Sequence, residues 1–128
     1  MAGQHFYERS EYVYRESGLR ASDPAFTGNE INMQNYLGVR FTIDISDSDT
    51  ISATYTIQYK DPIGGDWNTL LASAAKTGNG AFILTVGPGV ATVTNVSLNT
   101  YCPPLIRLVC TGTATDITDS VYVERFAV

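Results

Sequence analysis

Leu37, Val39, Phe41, Ile43 and Ile45 alternate with Gly38, Arg40, Thr42 and Asp44, and this period of two constrains the fold more than any other feature of the chain. Successive side chains of a strand point to opposite faces, so such a run buries one face and leaves the other in water; a helix would scatter the same residues around its axis. The pattern returns at once, with Ala53, Tyr55, Ile57 and Tyr59 opposite Thr54, Thr56, Gln58 and Lys60. The turn residues Asp61-Pro62-Ile63-Gly64-Gly65-Asp66 follow, and Trp67 to Leu71 resumes the ladder as the return strand of a hairpin. Further runs span Ala81 to Val86, Thr92 to Leu98, Leu105 to Thr111 and Ser120 to Ala127. Gly78-Asn79-Gly80, Gly87-Pro88-Gly89 and Gly112 to Asp119 punctuate them. These intervals predict an all-β chain, an antiparallel β-sandwich of the Ig-like kind with about seven strands. The helix-like stretch Leu70 to Lys76 is too short, and too closely tied to Trp67, to displace a strand.

Composition changes near residue 36. Residues 1–35 are rich in Tyr, Glu, Arg and Asn and hold no sustained period, so they read as an extended N-terminal arm, with the sandwich over 36–128. In the arm Tyr7, Tyr12 and Tyr14 are interspersed with Glu8, Arg9, Glu11, Arg15 and Glu16. Aromatics with both signs of charge, unable to form a core alone, suit a segment that orders on a partner. Phe6, Tyr7, Tyr12 and Tyr14 are the expected buried anchors, and Arg9 and Arg15 the expected ion-pairing residues. The alternative is a strand added to the chain's own sandwich, or a loose terminus.

A net charge of −5 gives no basic footprint, so nucleic acid is not an expected partner. No apolar run approaches the ~20 residues that cross a bilayer, and no membrane partner is expected. The first residues carry neither a basic nor an apolar signal region, which points to synthesis and assembly in cytoplasm. Cys102 and Cys110 are the only cysteines. Eight residues of extended chain would hold them ~25 Å apart, out of disulfide reach unless Cys102-Pro103-Pro104 doubles back. Two buried thiols are the plainer expectation.

Catalytic chemistry is not visible. The single histidine, His5, lies in the arm, and no zinc, redox or phosphate-binding motif occurs. No cofactor is expected. Asp44, Asp47 and Asp49 are the nearest approach to a metal site, since carboxylates suit Ca²⁺. Counting from Asp47, however, the twelfth position is Gln58 rather than Glu, and no glycine makes the sharp turn. The run therefore reads as a solvated loop between strands. Trp67 is expected as a core anchor, with an exposed place on a binding face as the alternative. Tyr55 and Tyr59 belong to an apolar face.

The stretch Gln58 to Ser73, a strand ending in Lys60-Asp61-Pro62, a glycine turn, Trp67 and then Leu70-Leu71-Ala72-Ser73, resembles small virion proteins of tailed bacteriophages. Leu84-Thr85-Val86-Gly87-Pro88-Gly89 and Leu105-Ile106-Arg107-Leu108-Val109 are similar to that group's turn and Arg-bearing strand. The resemblance covers about residues 37–125 and leaves out the arm. It implies a non-enzymatic structural protein of the phage head or its neighbourhood. The leading expectation is a capsid decoration or cement protein on the virion surface, with the major capsid protein and neighbouring copies of itself, as dimer or trimer, for partners. A neck or tail component is the alternative within that class. A carbohydrate-binding sandwich, with Trp67 and Tyr55 as stacking platform, is the alternative outside it.

Overall fold

The computed structural model describes residues 9–21, 25–49, 52–113 and 116–127. Their strands are β1 (Arg9–Ala21), β2 (Phe26–Thr27), β3 (Ile31–Asn32), β4 (Gly38–Asp49), β5 (Ser52–Lys60), β6 (Trp67–Ala72), β7 (Gly80–Val86), β8 (Ser97–Leu98), β9 (Leu105–Thr113) and β10 (Asp116–Phe126). They form two sheets. Sheet A has the order β1-β10-β4-β7-β8; sheet B has the order β2-β9-β5-β6, with β3 also pairing β9. All pairings are antiparallel except β7 with β8. The chain is thus an all-β antiparallel sandwich.

The alternation in β4 decides which face of sheet A turns inward. Val39, Phe41 and Ile43 are fully buried, together with Leu84 and Val86 of β7 and Val121 and Val123 of β10. Sheet B answers with Ala53, Tyr55 and Ile57 of β5 and Ile106, Leu108 and Cys110 of β9. Each large aliphatic or aromatic side chain moved from water into this layer contributes about 1.5–3 kcal/mol. Both cysteines are buried and neither is in a disulfide, Cys102 in the β8–β9 loop and Cys110 within β9.

Four local readings change. Thr92 to Leu98 is not one strand: Val93 and Ser97 close a tight turn on each other, with Asn95 at φ 62°, and only Ser97–Leu98 runs beside β7. Gly112 to Asp119 is mostly strand, because β9 and β10 extend to Thr113 and from Asp116. The acidic run is strand as well. β4 continues to Asp49 and pairs with β10, with an extra residue at Ser46 opposite the Thr118–Asp119 step. Finally, the sandwich starts before residue 36. β1, β2 and β3 all pair within the two sheets, and Ile31 and Met33 belong to the buried core.

Candidate protein-binding surfaces

Tyr14 shows how β1 is fastened. It is the extra residue of a bulge, between the pairs Val13–Tyr122 and Arg15–Val121. Its ring meets Phe41 edge-on, with centroids 5.5 Å apart. Across the sandwich, β2 and β3 form one interrupted edge strand along β9, and the interruption leaves backbone groups unpaired by the ladder. The Tyr14 hydroxyl donates to the Asn29 carbonyl at 2.5 Å and accepts from the Leu108 N–H at 3.3 Å. Gly28 makes room for it: a Cβ there would stand 2.0 Å from Tyr14 Oη. Burial pushes the phenol up to about 12, against the lowering effect of the Leu108 hydrogen bond. Tyr14 is therefore a latch within its own domain and not an available anchor.

Of the other expected arm residues, Phe6 and Tyr7 lie outside the described residues. Arg9 and Arg15 stand in β1, opposite Phe126 and Val121. Tyr12 is partly exposed, with the Arg125 guanidinium 5.6 Å from its ring centroid and 4.5 Å from that of Tyr36. Arg125 also donates to the Asn32 carbonyl at 2.8 Å, so these groups tie the ends of β1, β10 and β3 together. β1 is the last strand of sheet A, and no described strand lies beside its outer edge. Its two bulges, between Val13 and Gly18, bend an edge that would otherwise be a flat template for pairing.

Sequence inspection missed the outer face of sheet A. Val13, Tyr122, Thr42 and Ile83 stand opposite one another across four strands. Val13, Tyr122 and Ile83 are exposed, at 52%, 39% and 44%. The row spans about 14 Å at ordinary strand spacing. Beside it lies a polar row, Glu11, Glu124, Arg40 and Thr85, in which Arg40 and Glu124 form an ion pair. Only the long-range register assembles this stripe; each strand alone shows one ordinary outward residue.

The outer face of sheet B carries Trp67, which corrects the expectation of a core anchor. Leu71 is buried opposite Ile57, and a strict period of two would turn Thr69 and Trp67 inward as well. An extra residue at Leu70 flips the alternation, setting Thr69 beside Gln58 and Trp67 beside Lys60 on the outer face. Arg107 lies across β5 with its guanidinium 4.1 Å from the Trp67 ring centroid, and its Nε donates to Gln58 Oε1 at 2.8 Å. Tyr55 is fully buried in the core. A sugar-stacking platform of Trp67 and Tyr55 is therefore not formed: one ring is inside, and the other has a face covered by Arg107.

Asp44 is exposed on sheet A, while the side chains of Asp47 and Asp49 lie outside the described residues. Among the described residues no group of three or more His, Cys, Asp or Glu side chains is placed to hold a metal ion. None of the described helices or strands is a helix long and apolar enough to cross a membrane.

Fold and surfaces define a small two-sheet β-sandwich with exposed apolar and cationic patches on its sheet faces. The fold is similar to that of the SPBc2 prophage-derived protein YomS, with a TM-score of 0.57 over 94% of this chain and 95% of that one, at 9% identity. It is also similar to part of the chain in the infectious bursal disease virus VP2 subviral particle, with a TM-score of 0.55 at 13% identity. The Gx strain of that virus gives 0.56 at 10% identity. Both matches take in 94% of this chain but only 32% of the viral one, so the chain spans about a third of those proteins. At such identities the likeness is one of fold. No protein-family model matches the sequence, and no curated protein matches it either.

Proposed function

We propose that this chain is a non-enzymatic phage virion protein that binds the outside of the capsid shell and reinforces it. The observation that carries the reading is the exposed row Val13–Tyr122–Thr42–Ile83, ending at the outer edge of β1. An apolar stripe on the water-facing side of a sheet is the usual mark of a protein contact. Support for a virion setting comes from a fold shared over nearly its full length with a prophage-derived protein, and with part of a protein that forms a viral particle. On this reading the stripe and the β1 edge meet the major capsid protein, and Phe6, Tyr7, Arg9, Tyr12 and Arg15 add further contacts to it. Many copies, each burying modest area across subunit boundaries, add up to a lattice that resists separation.

The test is co-sedimentation with capsids that lack this protein, prepared from its source. A chain starting at Tyr36 is the wrong comparison, since it removes Ile31 and Met33 from the core. The double variant Val13→Asp, Ile83→Asp alters only exposed positions. Saturable binding at lattice-like copy number is expected, about tenfold weaker in that variant, as for the loss of interface anchors worth about 1.4 kcal/mol in total. Saturation at a few copies per particle would instead favour a neck or tail position, and unchanged binding by the folded variant would remove the stripe from the interface.

A further inference from the structure

The charges of this acidic chain are unevenly divided between its sheets. The strands of sheet A hold eight carboxylates and five arginines. The strands of sheet B hold Lys60 and Arg107 and no carboxylate at all. In a chain of net charge −5, one sheet thus presents a cationic outer face. Glu30, Asp61 and Asp66 stand only at its margins, in the β2–β3 and β5–β6 connections.

Arg107 is the centre of that face. Its stem rises from β9, its guanidinium lies over the Trp67 ring, and its Nε–H is engaged by Gln58. These restraints fix the guanidinium while its two terminal nitrogens make no hydrogen bond to any described residue. Beside it runs an open groove of about 370 Å³, lined by Ala25, Thr27, Gln58, Arg107, Val109 and Thr111. A held guanidinium with its outer fork available matches a carboxylate in two parallel hydrogen bonds, and the ordering cost is already met in the unbound chain.

We propose that the outer face of sheet B is a docking surface for an extended, carboxylate-bearing segment of a partner protein, with Arg107 as the fork that receives one Asp or Glu side chain. Two cations on an acidic chain suit one or two carboxylates. A nucleic-acid backbone needs several cations in a row and would be repelled by the surrounding charge. The site goes beyond the shell-binding reading, and it does not need that reading to hold.

Trp67, the only tryptophan, sits against the fork and reports on it directly. The experiment titrates the full chain at low ionic strength with a synthetic hexapeptide alternating Asp and Ser, with its Asn counterpart, and with inorganic phosphate. Trp67 fluorescence is followed, and amide shifts are mapped by NMR. The expected result is a saturable change with the Asp peptide alone, with shifts gathered at Gln58, Arg107 and Thr111. Arg107→Lys keeps the charge but loses the planar fork, and is expected to weaken binding about tenfold. No saturable change, an equal response from the Asn peptide, or an equal response in Arg107→Gln would overturn the proposal. Tighter binding of phosphate would overturn the assignment to a protein carboxylate. Concentration-dependent self-association lost in Arg107→Gln would replace the outside partner with a second copy. None of these readouts involves capsids, so failure here and failure of the shell-binding reading are separate results.

Discussion

Gly28→Ala lowers the stability of this domain by about 3 kcal/mol, because the methyl group occupies the seat of the Tyr14 hydroxyl. The new Cβ would lie 2.0 Å from Oη and 2.6 Å from two ring carbons, so the side chain must leave. With it go the hydrogen bonds to Asn29 and Leu108 and the edge-on contact with Phe41. For a domain of this size the loss corresponds to a fall in melting temperature of roughly 10 °C. Tyr14→Leu clears the same space while giving up the same hydrogen bonds. The double variant Gly28→Ala, Tyr14→Leu is therefore expected to cost little more than Tyr14→Leu alone. Additive costs would mean that Gly28 acts through its own backbone and not through the latch. Alkaline titration gives an independent check. Unfolded tyrosine ionises near 10.0, whereas Tyr14 is pushed up to about 12. Between those values the unfolded chain binds fewer protons than the folded one, so stability falls as pH rises through the window and is intact below it. Cys102, also pushed up to about 12 by burial, acts in the same direction. The comparison is therefore Tyr14→Phe against the parent chain: the variant should lose less stability between pH 10 and 12.

This latch bears on function. It holds β1 to the sandwich from one side and leaves the opposite edge of the strand, and Val13 beside it, facing outward. A contact surface built on an edge strand needs such a brace, since the strand gains hydrogen bonds from one neighbour only. The resemblance to phage virion proteins rests on the hairpin Gln58 to Ser73 and on the runs Leu84–Gly89 and Leu105–Val109; the sheet A stripe also requires β1, which lies outside it, and the sheet B surface requires Arg107 to reach across β5 to Trp67.

What was legible in the chain was local. The alternation in Leu37 to Ile45 and Ala53 to Tyr59 gave the inner faces of β4 and β5, because one buried face repeats every second residue. The same rule failed wherever a single extra residue changed the register. Leu70 turned Trp67 outward, Ser46 shifted the register with which the acidic run pairs to β10, and the interruption between β2 and β3 created the seat for Tyr14. Bulges cost one residue and leave no distinctive composition, so a period count passes over them. The arm was misleading for a related reason. β1 has few aliphatics and is an edge strand, in which Tyr14 is packed against the core among the described side chains, and a low apolar content looks the same in such a strand as in a free tail. The apolar stripe on sheet A and the charge division between sheets depend on pairing partners separated by scores of residues in sequence, which no local pattern encodes.

Asp119 and Tyr55 make the other strong test. Asp119 comes from sheet A and Tyr55 from sheet B; both are fully buried, and the tyrosine hydroxyl donates to Asp119 Oδ2 across the core. The Tyr55 ring also packs edge-on against Phe82 at 5.5 Å and near Phe26 at 6.2 Å, so it cannot swing away to find water. Asp119→Ala removes the acceptor, leaves a buried hydroxyl without it and opens a small cavity, for an expected cost of about 3 kcal/mol. Tyr55→Phe keeps the ring but removes the donor from a buried carboxylate, for about 2 kcal/mol. Replacing both, as Tyr55→Phe with Asp119→Val, removes the polar pair and suits the strand, so the double variant should be closer to the parent than Asp119→Ala is. Denaturant unfolding of the four chains decides the point. If Tyr55→Phe costs nothing, the hydroxyl contributes no net stability, and the pair is merely tolerated in the core. If the double variant is as damaged as Asp119→Ala, the carboxylate is needed for the geometry of the Thr118–Asp119 step, where β10 faces the extra residue of β4, and its bond to Tyr55 is secondary.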